Sequence, residues 1–272
     1  MKNSRPFFSI IVPTLNEEHY LPKLLKCLKD QTENNFELII VDAKSEDDTV
    51  LSAKKFLKYL PKTKIVSSDL RNVDHQKNLG ASEAIGKFLV FFDADVLIPT
   101  NLLKEINRAA DKDAQFITTW VNSDSHNISD QEIANIYNVA IELGGVTGLS
   151  GIQGFNIIIN REIFWEVGGL NSKIKVGTEH DLALRISKAG YKLKILKRPR
   201  LVMSLRRFRK EGTLITLRKH AIASARVLLK DPILVNDNFD YKYGSLWNDL
   251  DLRKSSPQIR TRLRRYLHLF KI

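Results

Sequence analysis

GKFLVFFDADVLIP, residues 86–99, carries five apolar residues, Phe88 to Phe92, straight into two aspartates separated only by Ala94. Five consecutive apolar residues without polar alternation read as a strand buried on both faces. Such a strand belongs to the interior of a sheet covered by helices on each side, so this stretch sets the fold class. Two carboxylates at its end repel each other unless a cation lies close to them.

Similar runs recur upstream and downstream. FFSIIVP (7–13), FELIIVD (36–42), KIVSS (64–68), FITTWV (116–121) and FNIIIN (155–160) read as further strands. Between them lie stretches of helical period, such as Glu17 to Asp30 with Leu21, Leu24, Leu25 and Leu28, and Asp48 to Tyr59 with Val50, Ala53, Phe56 and Leu57. The alternation predicts an α/β, Rossmann-like, mostly parallel sheet with helices on both faces. Ligands in such folds gather beyond the carboxyl ends of the strands. Three polar loops, PTLNEE (13–18), DAKSEDDT (42–49) and DAD (93–95), would open on that one edge.

After Arg161 the pattern changes. EIFWEVGG (162–169) reads as a short helix closed by glycines. TEHDLALRISKAGYKL (178–193) reads as a helix with Leu182, Ile186 and Ala189 on one face and a stop at Gly190. Thr178 and Asp181 have the spacing of a near-capping box, which would leave Glu179 and His180 free to face a site. Beyond Arg200 the chain reads as arginine-rich and helical.

Composition narrows the class. At 272 residues and 43% hydrophobic content the chain is long enough for one large globular domain with or without an appendage. The single cysteine, Cys27, excludes an internal disulfide and gives no support to a zinc site, and a reducing compartment suits it. Phe7 to Val12 is too short for a signal peptide, and the longest uncharged stretch, Leu143 to Asn160, contains five glycines and makes a poor spanning helix. The net charge of +12 is concentrated late: residues 183–272 hold 23 Lys and Arg against 6 Asp and Glu, while residues 1–182 hold 20 against 25. A basic tail on an acidic body points to an anionic surface rather than to nucleic acid.

The aspartate pair has two readings from the residues alone. A divalent cation would resolve the repulsion, since hard oxygen ligands suit Mg²⁺ or Mn²⁺ and a diphosphate can complete the shell. A turn and helix cap before Thr100 would use the same residues.

Four motifs carry a resemblance that decides between them. Pro13-Thr14-Leu15-Asn16-Glu17, Asp42 with Ser45, Asp47 and Thr49, Asn78-Leu79-Gly80, and Asp93-Ala94-Asp95 stand in the order and spacing of the family 2 glycosyltransferases of the GT-A fold, over roughly residues 7–205. The resemblance implies an inverting, metal-dependent transfer of one sugar from a UDP- or GDP-type nucleotide sugar to a glycan or lipid-linked acceptor. Pro13, Thr14, Glu17 and Asp42 would line the base and ribose pocket. Lys77, where many relatives carry arginine, would meet the donor; Asp93 would contact the ribose and Asp95 the metal. Gln153 and Gly154 belong to the glycine-rich strand region beside sugar or acceptor, with Gly151. In GTEHDLALR (177–185), relatives commonly read Gly-Glu-Asp-x-Asp-Leu-x-x-Arg, with the aspartate of the Glu-Asp pair as general base. Here that position is Glu179, a departure that keeps the carboxylate and lengthens its reach by one methylene, and Asp181 is the later aspartate. The loop Ser204 to Phe208 resembles a basic segment that covers the diphosphate in relatives.

Two other classes compete. A sugar nucleotidyltransferase would carry a glycine-rich basic loop where this chain has Thr-Leu-Asn-Glu-Glu, and a binding or scaffold protein without turnover would have only the Thr178-Glu179 departure in its favour. The resulting division is a GT-A domain over 1–205 and a basic helical extension over 206–272. Within the extension, Ile259, Leu263, Tyr266, Leu267 and Phe270 fall on one helical arc flanked by Arg260, Arg262, Arg264 and Arg265. That arc suits a membrane interface, packing on the domain or a dimer contact. A cytoplasmic protein, with peripheral contact at the inner face of the cell membrane, is the expected setting; oligomeric state stays open.

Overall fold

The computed structural model describes residues 5–60, 62–147 and 152–241. Gly151 and the amphipathic stretch 259–272 lie outside the described residues. The elements run β1 (Phe8–Thr14), α1 (Leu21–Lys29), β2 (Phe36–Asp42), α2 (Thr49–Lys54), β3 (Thr63–Ser67), α3 (Val73–Ser82), β4 (Phe88–Phe92), α4 (Leu102–Ala110) and β5 (Phe116–Ser123). They continue with α5 (Ile128–Thr147), β6 (Asn156–Asn160), α6 (Arg161–Glu166), β7 (Ile174–Val176), α7 (Thr178–Lys188), β8 (Leu193–Met203), α8 (Arg206–Glu211), α9 (Thr213–Leu228) and β9 (Ile233–Leu234).

Seven strands form one sheet in the order β3-β2-β1-β4-β6-β5-β8. All neighbours are parallel except β6, which is antiparallel to both β4 and β5. Every residue of β1, β2 and β4 is buried. Successive residues in these strands serve opposite faces: Ile10, Val12, Val90 and Phe92 join the core beneath α1 and α4, while Ile11, Leu89 and Phe91 join the core beneath α6 and α7. The continuous apolar runs are therefore two interleaved period-2 patterns, each filling one side. These three inner strands are covered on both faces, and their polar residues emerge only at the strand ends.

The register of β1 on β2 pairs Thr14 with Asp42, so the first two polar loops leave the sheet side by side. The third loop leaves β4, the other neighbour of β1. Helix α3 is held close over β1 by Gly80, where a Cβ would stand 2.5 Å from Ile11 Cγ2. Its start is capped by Asn72, whose side chain accepts hydrogen bonds from the amides of Asp74 and His75.

Three features differ from the sequence reading. The stretch after Gly190, expected to become helical beyond Arg200, first forms strand β8, which runs to Met203 in parallel register with β5. Its interleaved Lys and Arg hid the strand, because on a sheet edge the outward positions favour charge. Ala189 caps the end of α7 and is exposed rather than part of its buried face. The near-capping box is not formed: the N-cap of α7 is Gly177 at φ +89°, and Thr178 donates instead to Asp74 Oδ2 at 2.7 Å.

Residues 206–241 pack onto the sheet domain. Phe208 is buried in the α1-side core, and β9 pairs with β7 in a two-stranded ribbon. Among the described residues no helix is long and apolar enough to cross a membrane.

Candidate active site

Beyond the ends of β1 and β4 lies a cavity of about 480 Å³. Nine of the residues singled out from sequence line it: Pro13, Thr14, Glu17, Lys77, Asp93, Asp95, Gln153, Gly154 and Glu179. Asp42 and Asp181 do not. Asp42 accepts hydrogen bonds from Thr14 Oγ1 (2.9 Å), Ser45 Oγ (2.6 Å) and the Ser45 amide (2.9 Å), which ties the first loop to the second. Asp181 is engaged by Arg185 at 2.7 and 3.0 Å, and Arg185 also donates to the carbonyl of Val167.

The second loop braces the first along its length. The amides of Asn16, Glu17 and Glu18 donate to Ser45 Oγ, Thr49 Oγ1 and Asp47 Oδ2, at 2.9, 2.7 and 3.1 Å. Asn16, with φ +55°, returns a bond by accepting from the Glu46 amide at 2.8 Å. These bonds satisfy loop amides that would otherwise be orphaned, and they hold Glu17 over the strand ends. Gln76 on α3 completes the lacing by donating to the carbonyls of Thr14 (2.9 Å) and Val41 (2.7 Å).

Each aspartate of the 93–95 pair faces a cation of the chain. Lys77 Nζ lies 3.0 Å from Asp93 Oδ1, a charge contact without hydrogen-bond alignment, and it donates to the carbonyl of Gly154 at 2.7 Å. Arg206 Nε lies 2.9 Å from Asp95 Oδ2. The same guanidinium donates to both oxygens of Glu17, at 2.6 and 2.8 Å, and lies over the ring of Tyr20 at 4.4 Å. Burial pushes the Glu17 carboxyl up to about 7 despite Arg206, and it pushes Asp95 up as well. Arg206, between two acids, is held charged.

Glu179, on the first turn of α7, faces this cluster across Gly154. A side chain at Gly154 would stand 3.9 Å from Glu179 Oε2 and 3.6 Å from Lys77 Nζ, so the missing Cβ keeps the space between them open. His180 also lines the cavity, with Nε2 2.8 Å from Ser224 Oγ. Phe164 is buried in the core, whereas Trp165 is 43% exposed.

Sequence reasoning missed Asp74, Gln76, Tyr137 and His220. Asp74 is buried against Thr178 and near Lys77, and burial raises its pKa to about 6. Its position three residues before Lys77 on the same helix was the available signal. Tyr137 and His220 come from α5 and α9 with no motif around them.

The fit to a divalent cation follows from the donor set. Among the described residues no three His, Cys, Asp or Glu side chains converge to hold a metal on their own. Two carboxylates with hard oxygen atoms, Asp93 and Asp95, do line the cavity, and Mg²⁺ is commonly bound through one or two carboxylates with substrate phosphates supplying the rest. The residues fit an ion held jointly with a diphosphate.

A sheet of this order, with paired carboxylates past β4 and an acid on the facing helix, defines a glycosyltransferase of the GT-A type. Solved structures agree on the fold. A mannosyltransferase from Pyrobaculum calidifontis, in complex with GDP-Man and Mn²⁺, superposes with a TM-score of 0.67 at 20% identity, over 85% of this chain and 66% of that one. TarS 1–349 of S. aureus in complex with UDP-GlcNAc gives 0.59 at 18% identity, over 82% and 71%. The model of glycosyl transferase family 2 matches residues 9–168, more than half of the chain, and the chain belongs to that family.

Among relatives, an uncharacterized glycosyltransferase of Haemophilus influenzae is 25% identical over 190 residues, 65% of this chain and 61% of its own. A PGL/p-HBAD biosynthesis glycosyltransferase of Mycobacterium bovis is 40% identical over 91 residues, 33% of this chain and 36% of its own. A dolichyl N-acetyl-alpha-D-glucosaminyl phosphate 3-beta-D-2,3-diacetamido-2,3-dideoxy-beta-D-glucuronosyltransferase of Methanococcus voltae is 27% identical over 209 residues, 69% of this chain and 63% of its own. The chain thus spans less than two thirds of the length of these relatives.

Proposed function

We propose that this chain transfers a single sugar from a nucleotide diphosphate sugar to a hydroxyl acceptor with inversion. The observation that carries the reading is the placement of Glu179 in one cavity with Asp93, Asp95 and Lys77, across the open space at Gly154. In the step, the acceptor oxygen attacks the anomeric carbon while the bond from that carbon to the diphosphate oxygen breaks. The acceptor proton goes to Glu179, and the nucleoside diphosphate leaves with the bonding pair. General-base help of this kind is worth ~10²–10⁴ in rate.

Pro13, Thr14 and Glu17 take the base and ribose side, braced by Asp42 from beneath; Lys77 and Asp93 meet ribose and phosphate; Gln153 and Gly154 face the sugar and acceptor. Asp181 acts at a distance, through Arg185 and the turn at Val167. Asp95 would hold the Mg²⁺ or Mn²⁺ ion that, when bound with the diphosphate, offsets charge on the leaving group. With the catalytic unit over 1–205, the extension contributes Arg206, its first residue, to the same charge cluster. GDP-Man and UDP-GlcNAc in the fold neighbours support a donor of UDP or GDP type, and the name of the Methanococcus voltae relative supports a lipid-linked acceptor. The basic arc at 259–272 supports peripheral contact with an anionic membrane face.

The test is a thermal-shift panel of UDP-, GDP-, TDP- and CDP-sugars with and without Mn²⁺, because a ligand bound only by the folded state raises its apparent stability. Stabilisation by one nucleotide class that requires Mn²⁺ and is lost in Asp95→Asn is the expected result. No response to any nucleotide sugar would overturn the reading.

A further inference from the structure

Glu179, the proposed base, stands between two residues that are each tied to a different helix. On one side Thr178 donates from Oγ1 to Asp74 Oδ2 on α3 at 2.7 Å, and both residues are buried. On the other side His180 has Nε2 2.8 Å from Ser224 Oγ on α9. The two anchoring helices come from distant parts of the chain, α3 over Val73–Ser82 and α9 over Thr213–Leu228.

The direction of the second bond follows from its surroundings. Ser224 has one hydroxyl proton, and it donates to the carbonyl of His220 at 2.9 Å, an atom that can only accept. The hydroxyl oxygen is left to accept, so His180 carries hydrogen on Nε2. That nitrogen also lies 3.8 Å from Glu179 Oε1, which turns the positive edge of the ring toward the carboxylate.

The first turn of α7 depends on such ties. Its N-cap, Gly177 at φ +89°, has no side chain with which to close the turn. Helix α9 backs the same turn through apolar contact: Val176 clusters with Ala223 and Ile233, and a Cβ at Gly177 would stand 3.3 Å from Val227 Cγ2. A glutamate at 178, common in the resembling sequences, would press a second carboxylate against buried Asp74; threonine turns that contact into a hydrogen bond. Glu179 in turn has one more rotatable bond than the aspartate common at its position, so its carboxylate is harder to aim. Misplacing a reacting group by about 1 Å can cost ~10²-fold in rate. Anchors on both sides of Glu179 fix the root of the longer arm.

We propose that Asp74 and Ser224 are positioning residues for the base: acting through Thr178 and His180, they clamp the first turn of α7 between α3 and α9 and so aim Glu179 into the cavity. The inference rests on the transferase reading for the role of Glu179. It carries the catalytic unit beyond residue 205, because α9, outside the stretch that the family model matches, supplies one of the two anchors.

The test uses the full chain with Thr178→Val, Thr178→Ser and Ser224→Ala, and two measurements. The first is steady-state release of nucleoside diphosphate from the nucleotide sugar that stabilises the chain, with water as acceptor. Thr178→Val and Ser224→Ala should each lower kcat roughly tenfold and leave KM for the nucleotide sugar unchanged. Thr178→Ser, which keeps the hydroxyl, should recover kcat. Ser224→Ala should melt close to the unaltered chain, since the preference of a helix interior for alanine offsets the lost bond. The second measurement is amide hydrogen exchange in the first turn of α7, where His180 and Asp181 donate to the carbonyl of Gly177 at 3.0 and 3.2 Å. It needs no substrate, and exchange there should quicken in Thr178→Val and Ser224→Ala.

Unchanged kcat in both variants would overturn the proposal whatever the exchange rates. A rise in KM at constant kcat would do the same by making these side chains donor contacts. A fall in kcat with exchange unaltered would also overturn it, since the side chains would then act on the substrate and not through the turn. Ser224→Ala carries both measurements if Thr178→Val fails to fold. In a chain that binds and cleaves no nucleotide sugar, quickened exchange would sink the transferase reading and leave the clamp standing, whereas unaltered exchange would end both.

Discussion

Arg206 Nε lies 2.9 Å from Asp95 Oδ2, so the second aspartate of the Asp93-Ala94-Asp95 turn is already neutralised by a cation of the chain itself. The same guanidinium neutralises Glu17, which places two buried acids from different strand ends on one base. Arg206→Ala leaves both acids without a counter-charge, and removing one partner of a buried pair costs ~3–5 kcal/mol. The loss should be largest at pH 8 and smaller at pH 5, because Glu17, at about 7 with Arg206 present, takes up a proton more readily once it is gone. Urea unfolding at the two pH values checks this. Mn²⁺ with the nucleotide should raise the melting temperature of the variant more than that of the unaltered chain, since Asp95 is then free; an equal rise in both would mean that Arg206 and a cation do not share that carboxylate.

Glu179→Gln separates chemistry from binding. The amide keeps the shape of the side chain across Gly154 and cannot take a proton. Turnover should fall by ~10²–10⁴. Stabilisation by the donor should stay within error of the unaltered chain, because Glu179 faces the acceptor half. A loss of donor stabilisation with unchanged turnover would move Glu179 from base to donor contact.

The sheet was legible because β1, β2 and β4 carry apolar residues on both faces, a pattern that few structures other than a helix-covered parallel sheet accept. The strand ends were legible for the same reason: once Phe88 to Phe92 is buried, Asp93 and Asp95 must emerge at its carboxyl edge. Strand β8 was hidden because an edge strand tolerates Lys194, Lys197, Arg198 and Arg200, whose charges break the apolar run that marked the inner strands. Asp42 was visible as a strand-end acid, but not that Thr14 and Ser45 would consume its oxygens, since that depends on the β1–β2 register. Tyr137 on α5, Arg207 on α8 and His220 on α9 meet only in the folded chain, across 70 to 83 residues from Tyr137, a contact that leaves no periodic trace.

Asp74 gives a pH signature of its own. Its carboxyl is raised by burial from 3.8 to about 6, so between those values the folded chain holds a proton that the unfolded chain has released. Stability must fall as pH rises through that window, by about 3 kcal/mol at most for this group. Asp74→Asn still accepts the hydrogen bond from Thr178 and does not titrate. The stability of the unaltered chain relative to Asp74→Asn should therefore decline from pH 4 to pH 7 in denaturant titrations. A difference that is flat, or that grows with pH, would show that Lys77 and Thr178 outweigh desolvation.

Gly80→Ala tests whether the closeness of α3 to the sheet matters to the site. Alanine favours a helix over glycine by about 1 kcal/mol, so on an exposed helix the change would stabilise. Here the new Cβ would stand 2.5 Å from Ile11 Cγ2 and 3.0 Å from Val41 Cγ2, both in the buried centre of the sheet. Overpacking of this kind typically costs ~1–3 kcal/mol, which exceeds the propensity gain. To relieve it α3 must lift, and with it Asp74, Gln76 and Lys77, stretching the Gln76 bonds to Thr14 and Val41 and the Lys77 contact with Asp93. Gly168→Ala is the control: its φ of +84° penalises a side chain by ~1–2 kcal/mol, yet nothing lies within 4 Å of the new Cβ and α3 is untouched. Both variants should melt earlier than the unaltered chain. Only Gly80→Ala should also weaken stabilisation by the nucleotide sugar, and an equal donor response in the two would mean that the height of α3 does not govern the donor side of the cavity.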